Sequence, residues 1–505
     1  MILKATAPAI AVISASLLLA GCEPALPVKD TTSSAQWFAS GQQAAATAAP
    51  QSNTSRANNI ILVVGDGMGI ANQTAARIYS GQQLGLLGEE FSLSFETLPY
   101  SALIKTYNTN QQTPDSAGTM TALVTGYKTK AGILSISDNA QRGQCASGQQ
   151  HQLATLFDLA EQQGKATGIV TTARVTHATP AALYAHSVER NWESDDKLSA
   201  SAKADNCRDI AQQLIDQSND TQALEVVFGG GKRHFLPEDQ GGKRQDQQNL
   251  LTRWQQQSPD QHVITTRQQL QQADLTSGHW LGLFSSSHLP YIDQRAADTP
   301  DLLDITKAAL QRLKHNNGKG YALMIEAGRI DHGHHAGSGY KALNETQELH
   351  QTVQWLLNNI DLSDTLLVVT ADHSHTLTLA GYATRGNPML GVVKGNDDLG
   401  RPEASAKKLD DGGYYTSINY RNGPGAVDWQ HGDRPSVDPE RAQQADYLQQ
   451  ALVPLESETH GGEDVALYAA GPWAHLFGGT MEQHWVYHVM HYALTTANDA
   501  SEKRN

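Results

Sequence analysis

The chain has 505 residues, with 37 Lys and Arg against 52 Asp and Glu, for a formal net charge of −15. That balance excludes a protein that grips nucleic-acid backbones through a basic face. Recurrent apolar runs exclude a wholly disordered chain, and only three cysteines leave too little sulfur for a thiolate zinc centre.

The N-terminus reads as an address. Lys4 supplies a positive charge, Ala5 to Ala20 form a short apolar stretch, and Leu19-Ala20-Gly21-Cys22 closes it. The stretch is too short for a comfortable membrane span. Its end resembles a bacterial lipobox, which makes residues 1–21 a lipoprotein signal peptide and Cys22 the lipidated first residue of an exported protein. An ordinary cleaved signal, with Cys22 incidental, is the alternative. Glu23 rather than Asp follows the cysteine. By resemblance to Gram-negative lipoproteins this favours an anchor in the outer membrane, facing periplasm or surface. Residues 22–58, rich in Ala, Ser, Thr, Gln and Pro, offer little to bury and read as a flexible tether. If Cys22 carries lipid, Cys145 and Cys207 remain as an even pair in an oxidising compartment, where a disulfide is the default.

Beyond the tether, short apolar runs each end in a polar cluster. Asn59–Val64 leads into Asp66, Gly168–Thr172 into His177 and Thr179, Tyr321–Ile325 into Glu326 and Asp331, and Thr365–Thr370 into Asp372-His373. Helical stretches such as His151–Gln163 and Lys341–Leu357 alternate with them. The pattern predicts an α/β fold, a buried sheet covered by helices. Ligand sites in such folds lie outside the carboxyl ends of the strands, where these acids and histidines fall. The clusters span Asp66 to His460, so residues 59–495 read as one interleaved catalytic domain, followed by a polar tail, 496–505.

Singly, each cluster has a bland reading as a turn, a solvated loop or a strand-end cap. In order they are specific. Asp66-Gly67-Met68-Gly69, Asp115-Ser116-Ala117, Thr176-His177-Ala178-Thr179-Pro180, Arg190, Glu326…Asp331-His332-x-x-His335, Thr370-Ala371-Asp372-His373 and Thr459-His460-Gly461-Gly462-Glu463-Asp464 together resemble the alkaline phosphatases. The resemblance implies a large central, mostly parallel sheet. It also implies hydrolysis of phosphate monoesters through a phosphoserine on Ser116, assisted by two zinc ions and one magnesium ion. By the same match Asp331, His335 and His460 hold the first zinc, and Asp66, Asp372, His373 and Ser116 hold the second. Asp66, Thr179 and Glu326 hold magnesium. The donor types agree: zinc takes imidazole and carboxylate when thiolate is absent, and magnesium demands hard oxygen ligands.

A free serine hydroxyl is a weak nucleophile, so Ser116 needs a metal ion and a helix N-terminus to favour its anion. Arg190 suits a bidentate clamp on two phosphate oxygens, with Asp115 orienting it. His375 is expected beside the ligands. His177 and His332 stand where the best-known enterobacterial members carry Asp and Lys and where animal members carry His. Residues 381–455 resemble the crown-like insertion of animal members, and Cys145 with Cys207 resembles their disulfide pair. Animal members also carry a Phe-Glu pair at a calcium site; Phe284-Ser285 here speaks against a fourth ion. The resemblance further implies a homodimer and a broad range of small monoesters. Two rivals are a sulfatase or phosphodiesterase, which relative rates on three ester types discriminate, and a non-catalytic metal-binding lipoprotein, which predicts metal uptake without turnover.

Overall fold

Ile60-Ile61-Leu62-Val63-Val64 is an unbroken aliphatic run, the pattern of a strand buried on both faces. All five residues are 0–1% exposed within the strand Asn59–Gly65. In the computed structural model, which describes residues 52–217, 223–426 and 437–496, this strand lies near the centre of a ten-stranded sheet. The signal peptide, Cys22, nearly all of the tether and the tail beyond 496 lie outside the described residues.

Across the sheet the order is Thr480–Glu482, Tyr100–Lys105, Val465–Ala470, Thr365–Ala371, Asn59–Gly65, Tyr321–Ala327, Ala166–Arg174, Val226–Gly230, His279–Leu283 and Gln261–Ile264. Only Val465–Ala470 runs antiparallel to its neighbours; the other pairs are parallel. The sheet is thus mixed, mostly parallel and flanked by helices. Parallel strands point their carboxyl ends to one edge, so the polar clusters that follow the central strands converge there.

The predicted strands are each one to four residues longer than the apolar runs that announced them. The stretch 151–163 becomes helix only over Leu156–Gln162, because Thr155 and Asp158 form a capping box that fixes its start. The later stretch extends to Gly339–Asn359, capped by Ser338. Beside the main sheet, Leu377–Leu379, Ile418–Gly423 and Ala451–Pro454 form a separate three-stranded sheet, two of whose strands fall in the span 381–455. Cys145 and Cys207 are disulfide-bonded, closing a sequence separation of 62 residues. Among the described residues no helix is long and apolar enough to cross a membrane.

Candidate active site

Asp115 sets the geometry around Ser116. Its extended backbone and side chain cap the helix Ser116–Thr125, with Oδ1 accepting from Gly118 N at 3.1 Å. Its other oxygen accepts from Gly132 N at 2.9 Å and from Arg190 Nη1 at 3.2 Å. One carboxylate therefore starts the helix that presents Ser116 and fixes the guanidinium beside it. Arg190 Nη2 donates to His177 Nε2 at 3.1 Å. Because a guanidinium only donates, this contact leaves the ring proton of His177 on Nδ1.

Three donor sets surround this corner. In the first, Nε2 of His335, His375 and His460 lies 3.3, 2.8 and 3.4 Å from Asp331 Oδ1. His335 Nδ1 donates to the Glu458 carbonyl at 2.5 Å, and His460 Nδ1 to the Pro114 carbonyl at 2.8 Å. Both rings therefore carry lone pairs on Nε2, and these face each other at 3.1 Å. Two lone pairs cannot bond each other, so the arrangement fits a cation held between them and Asp331.

The second set joins Asp66, Asp372 and His373, all fully buried. His373 Nδ1 faces the Ser374 carbonyl at 3.2 Å, which turns the Nε2 lone pair towards Asp66 Oδ1 at 3.3 Å and Ser116 Oγ at 3.2 Å. The third brings Asp66, Glu326 and His177 together, with Thr179 at the start of the short helix that follows His177. Both Asp66 oxygens, Glu326 Oε1 and Thr179 Oγ1 are buried without a hydrogen-bond partner. Buried oxygens left unpaired are costly, and these are the hard donors that a cation satisfies. Gly67, at φ +67°, turns the chain out of the strand; a Cβ there would come within 2.4 Å of the His375 ring.

Charge follows the same division. Burial, then the neighbouring carboxylates, push the Asp66 carboxyl well above its usual range; burial first also raises Asp372 and Glu326. Burial acts on Asp331 in the same sense, but the attraction of His335, His375 and His460 wins and holds it well below. His375 bonds carboxylates on both ring nitrogens, so although burial opposes its charge, Glu458 and Asp331 raise it to about 10.

The structure thus gathers Ser116, Asp115, Arg190, Asp66, Thr179, Glu326, Asp331, His335, Asp372, His373, His460, His177, His332 and His375 at one edge. His332 lies 5.5 Å from His177, ring centre to ring centre. Glu458 and His288 join them without having been legible in the sequence. His288 sits 4.0 Å from the His332 ring, with Nε2 on Arg174. Glu458 immediately precedes the Thr459-His460 motif, and His288 follows Phe284-Ser285 in a loop that no motif marks.

The sequence model of the family described as alkaline phosphatase matches residues 57–496. The chain belongs to the alkaline phosphatase family. It is 40% identical over 457 residues to the chicken (Gallus gallus) tissue-nonspecific alkaline phosphatase, covering 87% of this chain and 85% of that one. It is also 40% identical to the alkaline phosphatase of Gadus morhua, over 87% and 92% of the two chains. Among solved structures, Thermus thermophilus alkaline phosphatase superposes with a TM-score of 0.63 at 26% identity, over 88% of this chain and 93% of that one. The alkaline phosphatase of the Antarctic bacterium TAB5 shares the fold, with a TM-score of 0.59 at 19% identity over 87% and 99%. The chain is accordingly a metal-dependent phosphatase that hydrolyses phosphate monoesters, and the expected fold and family hold.

Proposed function

We propose that hydrolysis runs through a phosphoserine on Ser116, with Arg190 clamping the transferred phosphoryl group and Asp115 orienting Arg190. The observation that carries this reading is the place of Ser116. Its oxygen opens a helix and lies 3.2 Å from His373 Nε2, between the guanidinium and the donor sets. We further propose zinc in the sets Asp331, His335, His460 and Asp66, Asp372, His373, the latter with Ser116, and magnesium in the set Asp66, Thr179, Glu326. When bound, these ions supply Lewis-acid catalysis and neutralise charge on the phosphate and on the attacking and leaving oxygens.

The chain's own groups do the rest. The unpaired N–H groups at the N-terminus of Ser116–Thr125 favour negative charge on the serine oxygen and then on the phosphoserine. Arg190, with one nitrogen on Asp115 and the other on His177, keeps a second N–H on each for two phosphate oxygens. His177 and His332 stay neutral across the working range, because burial before any charge lowers both, His332 to about 4. They hold the phosphate end without adding charge. Ser116 Oγ attacks phosphorus as the ester P–O bond breaks, and the departing oxygen takes up a proton and leaves as the alcohol. Water then attacks phosphorus opposite Ser116 Oγ, which departs and regains its proton, and inorganic phosphate is released.

For the rest of the chain the reading is a signal peptide over 1–21, lipid on Cys22 in the outer membrane, a tether over 22–58, and a catalytic domain over 59–495 with 381–455 as a crown-like insertion. The protein pairs as a homodimer; exposed Leu452, Val453 and Leu455 at the three-stranded sheet support an apolar contact there. Small soluble monoesters of broad range are the substrates. The deciding experiment is Ser116→Ala with brief radiolabelled-phosphate trapping in acid. The variant should lose several orders of magnitude in kcat, keep its metal and take no label. A label on another residue, or near-normal turnover, overturns the nucleophile assignment.

A further inference from the structure

The Glu458 side chain has no exposed surface. A buried carboxylate is costly unless paired and fully hydrogen-bonded, and this one is. Oε2 accepts from His375 Nδ1 at 2.5 Å, and Oε1 accepts from Thr376 N at 2.7 Å and Thr376 Oγ1 at 2.5 Å. Its own backbone carbonyl accepts from His335 Nδ1 at 2.5 Å. His375 Nε2 in turn donates to Asp331 Oδ1 at 2.8 Å. Two residues further along the chain, His460 lies in a two-residue antiparallel pairing with His375.

We infer that Glu458 is the positioning residue of the Asp331–His335–His460 set, fixing all three donors from one place in the chain. Its carbonyl holds the His335 ring with the lone pair inward. Its carboxylate, through His375, fixes which oxygen of Asp331 is free and where the carboxylate plane lies. Its attachment to Thr376 holds the segment that carries His460 against Ser374-His375. No other residue touches two of the set's side chains, or their immediate supports, in this way among the described residues. The second set is supported differently: Asp372 Oδ1 accepts backbone N–H groups from Gly67 and His373, and Oδ2 accepts from the Thr119 hydroxyl at 3.3 Å.

The inference rests on the reading of Asp331, His335 and His460 as metal ligands, and the test separates the two. Metal-free wild type and the variants Glu458→Ala, Glu458→Asp and Glu458→Gln are titrated with Zn2+ alone, and separately with Co2+ followed by visible absorption. Gln keeps the geometry: its carbonyl accepts from Thr376 while its amide donates to His375 Nδ1, and the ring gives up its Nδ1 proton and keeps the Nε2–H on Asp331. Asp is one methylene too short to reach both partners. Removing supports of this kind costs about 10–100-fold in metal affinity. Glu458→Ala should show that loss at one site only, with an altered cobalt spectrum. Glu458→Asp should fall between, and Glu458→Gln should stay near wild type. His335→Ala serves as the reference, removing one bound ion. If it removes none, the ligand assignment fails. If it removes one while the folded Ala and Asp variants bind zinc with wild-type affinity and spectrum, Glu458 is merely a structural staple and the inference is overturned.

Discussion

The donor sets on the two sides of Ser116 differ in how far the protein balances its own charge. Around Asp331 three imidazoles meet one carboxylate oxygen, one of them, His375, donates to it, and that carboxyl stays ionised despite burial. Around Asp66 two further carboxylates crowd the same buried volume, the two imidazoles beside them, His373 and His177, are held neutral by burial, and all three acids are raised. The first set is kept in shape by the chain's own hydrogen bonds, from Glu458, Pro114 and His375. The second keeps unpaired oxygens and surplus negative charge, so it depends on cations for its stability as well as for chemistry.

The largest effect expected from this contrast comes at Asp66, which belongs to both the Asp372–His373 and the His177–Glu326 groupings. Asp66→Ala should strip bound metal from two places and lower kcat by several orders of magnitude. His460→Ala should release metal from one place only. Elemental analysis of the two purified variants, side by side with wild type, checks this. Equal losses would mean that the two sides are not the distinct units described above.

A smaller effect separates the sets by pH. A carboxyl whose pKa is raised on folding favours the folded state while it is protonated. That contribution is full below the ordinary carboxylate range and is lost as pH rises through the folded value. Glu326 is pushed up to about 7 and Asp66 is raised well above its usual value, both chiefly by burial. Buried His373 and His177 are lowered and act in the opposite sense, but only below the unperturbed histidine value near 6.5. Between about pH 6.5 and 8, therefore, these two histidines are silent, and the raised acids lose their contribution together with His375, which is raised to about 10 and lies outside the Asp66 cluster. Across that window metal-free protein should lose a few degrees more of Tm than metal-loaded protein does. Glu161 and Glu345, raised to about 8 and outside the donor sets, titrate in both forms, so the difference between the two profiles isolates the cluster. Parallel profiles would remove the claim of uncompensated charge.

How much of this was legible in the sequence follows from what each residue does. The strands were, because runs such as Ile60–Val64 must be buried on both faces, and strand ends locate acids and histidines on one edge. The donor residues were, because their types and order are constrained by the ions they suit. Helix starts were blurred: a capping box such as Thr155–Asp158 trims five residues that composition alone would include. Glu458 and His288 were invisible for a different reason. Each acts by touching a residue distant in the chain, separated by 83 positions for Glu458 and His375 and by 114 for His288 and Arg174. A buried glutamate within a polar run, or one histidine among 20, gives no periodic or motif signal. Only the fold reveals which partner it meets.

The smallest expected effect tests the phosphate end, where charge is absent rather than in surplus. His177, His288 and His332 form one packed group, with ring centres 4.0 to 5.5 Å apart. Burial lowers all three, so none carries charge at neutral or alkaline pH. The Arg174 guanidinium beside His288 is already taken by Glu193, at 2.5 and 2.7 Å. Arg329, the other guanidinium near His332 and His288, lies 3.6 Å over the Tyr291 ring, which leaves Arg190, on His177, to face phosphate. A lysine in place of His332 would add a charge there, and at an effective dielectric between about 20 and the roughly 80 of water a charge several ångströms from phosphate is worth about 1–2 kcal/mol. His332→Lys should therefore tighten phosphate inhibition by roughly 5–30-fold and lower kcat at alkaline pH if product release is slow. Zinc content should stay constant, since no ligand is touched. His288→Asn keeps the group neutral and removes only packing, so it should shift the phosphate inhibition constant far less than the lysine does. Measuring that constant, kcat and metal content for both variants separates charge from packing. If His332→Lys leaves phosphate binding unchanged with zinc retained, the neutrality of the three imidazoles does not govern release of the product.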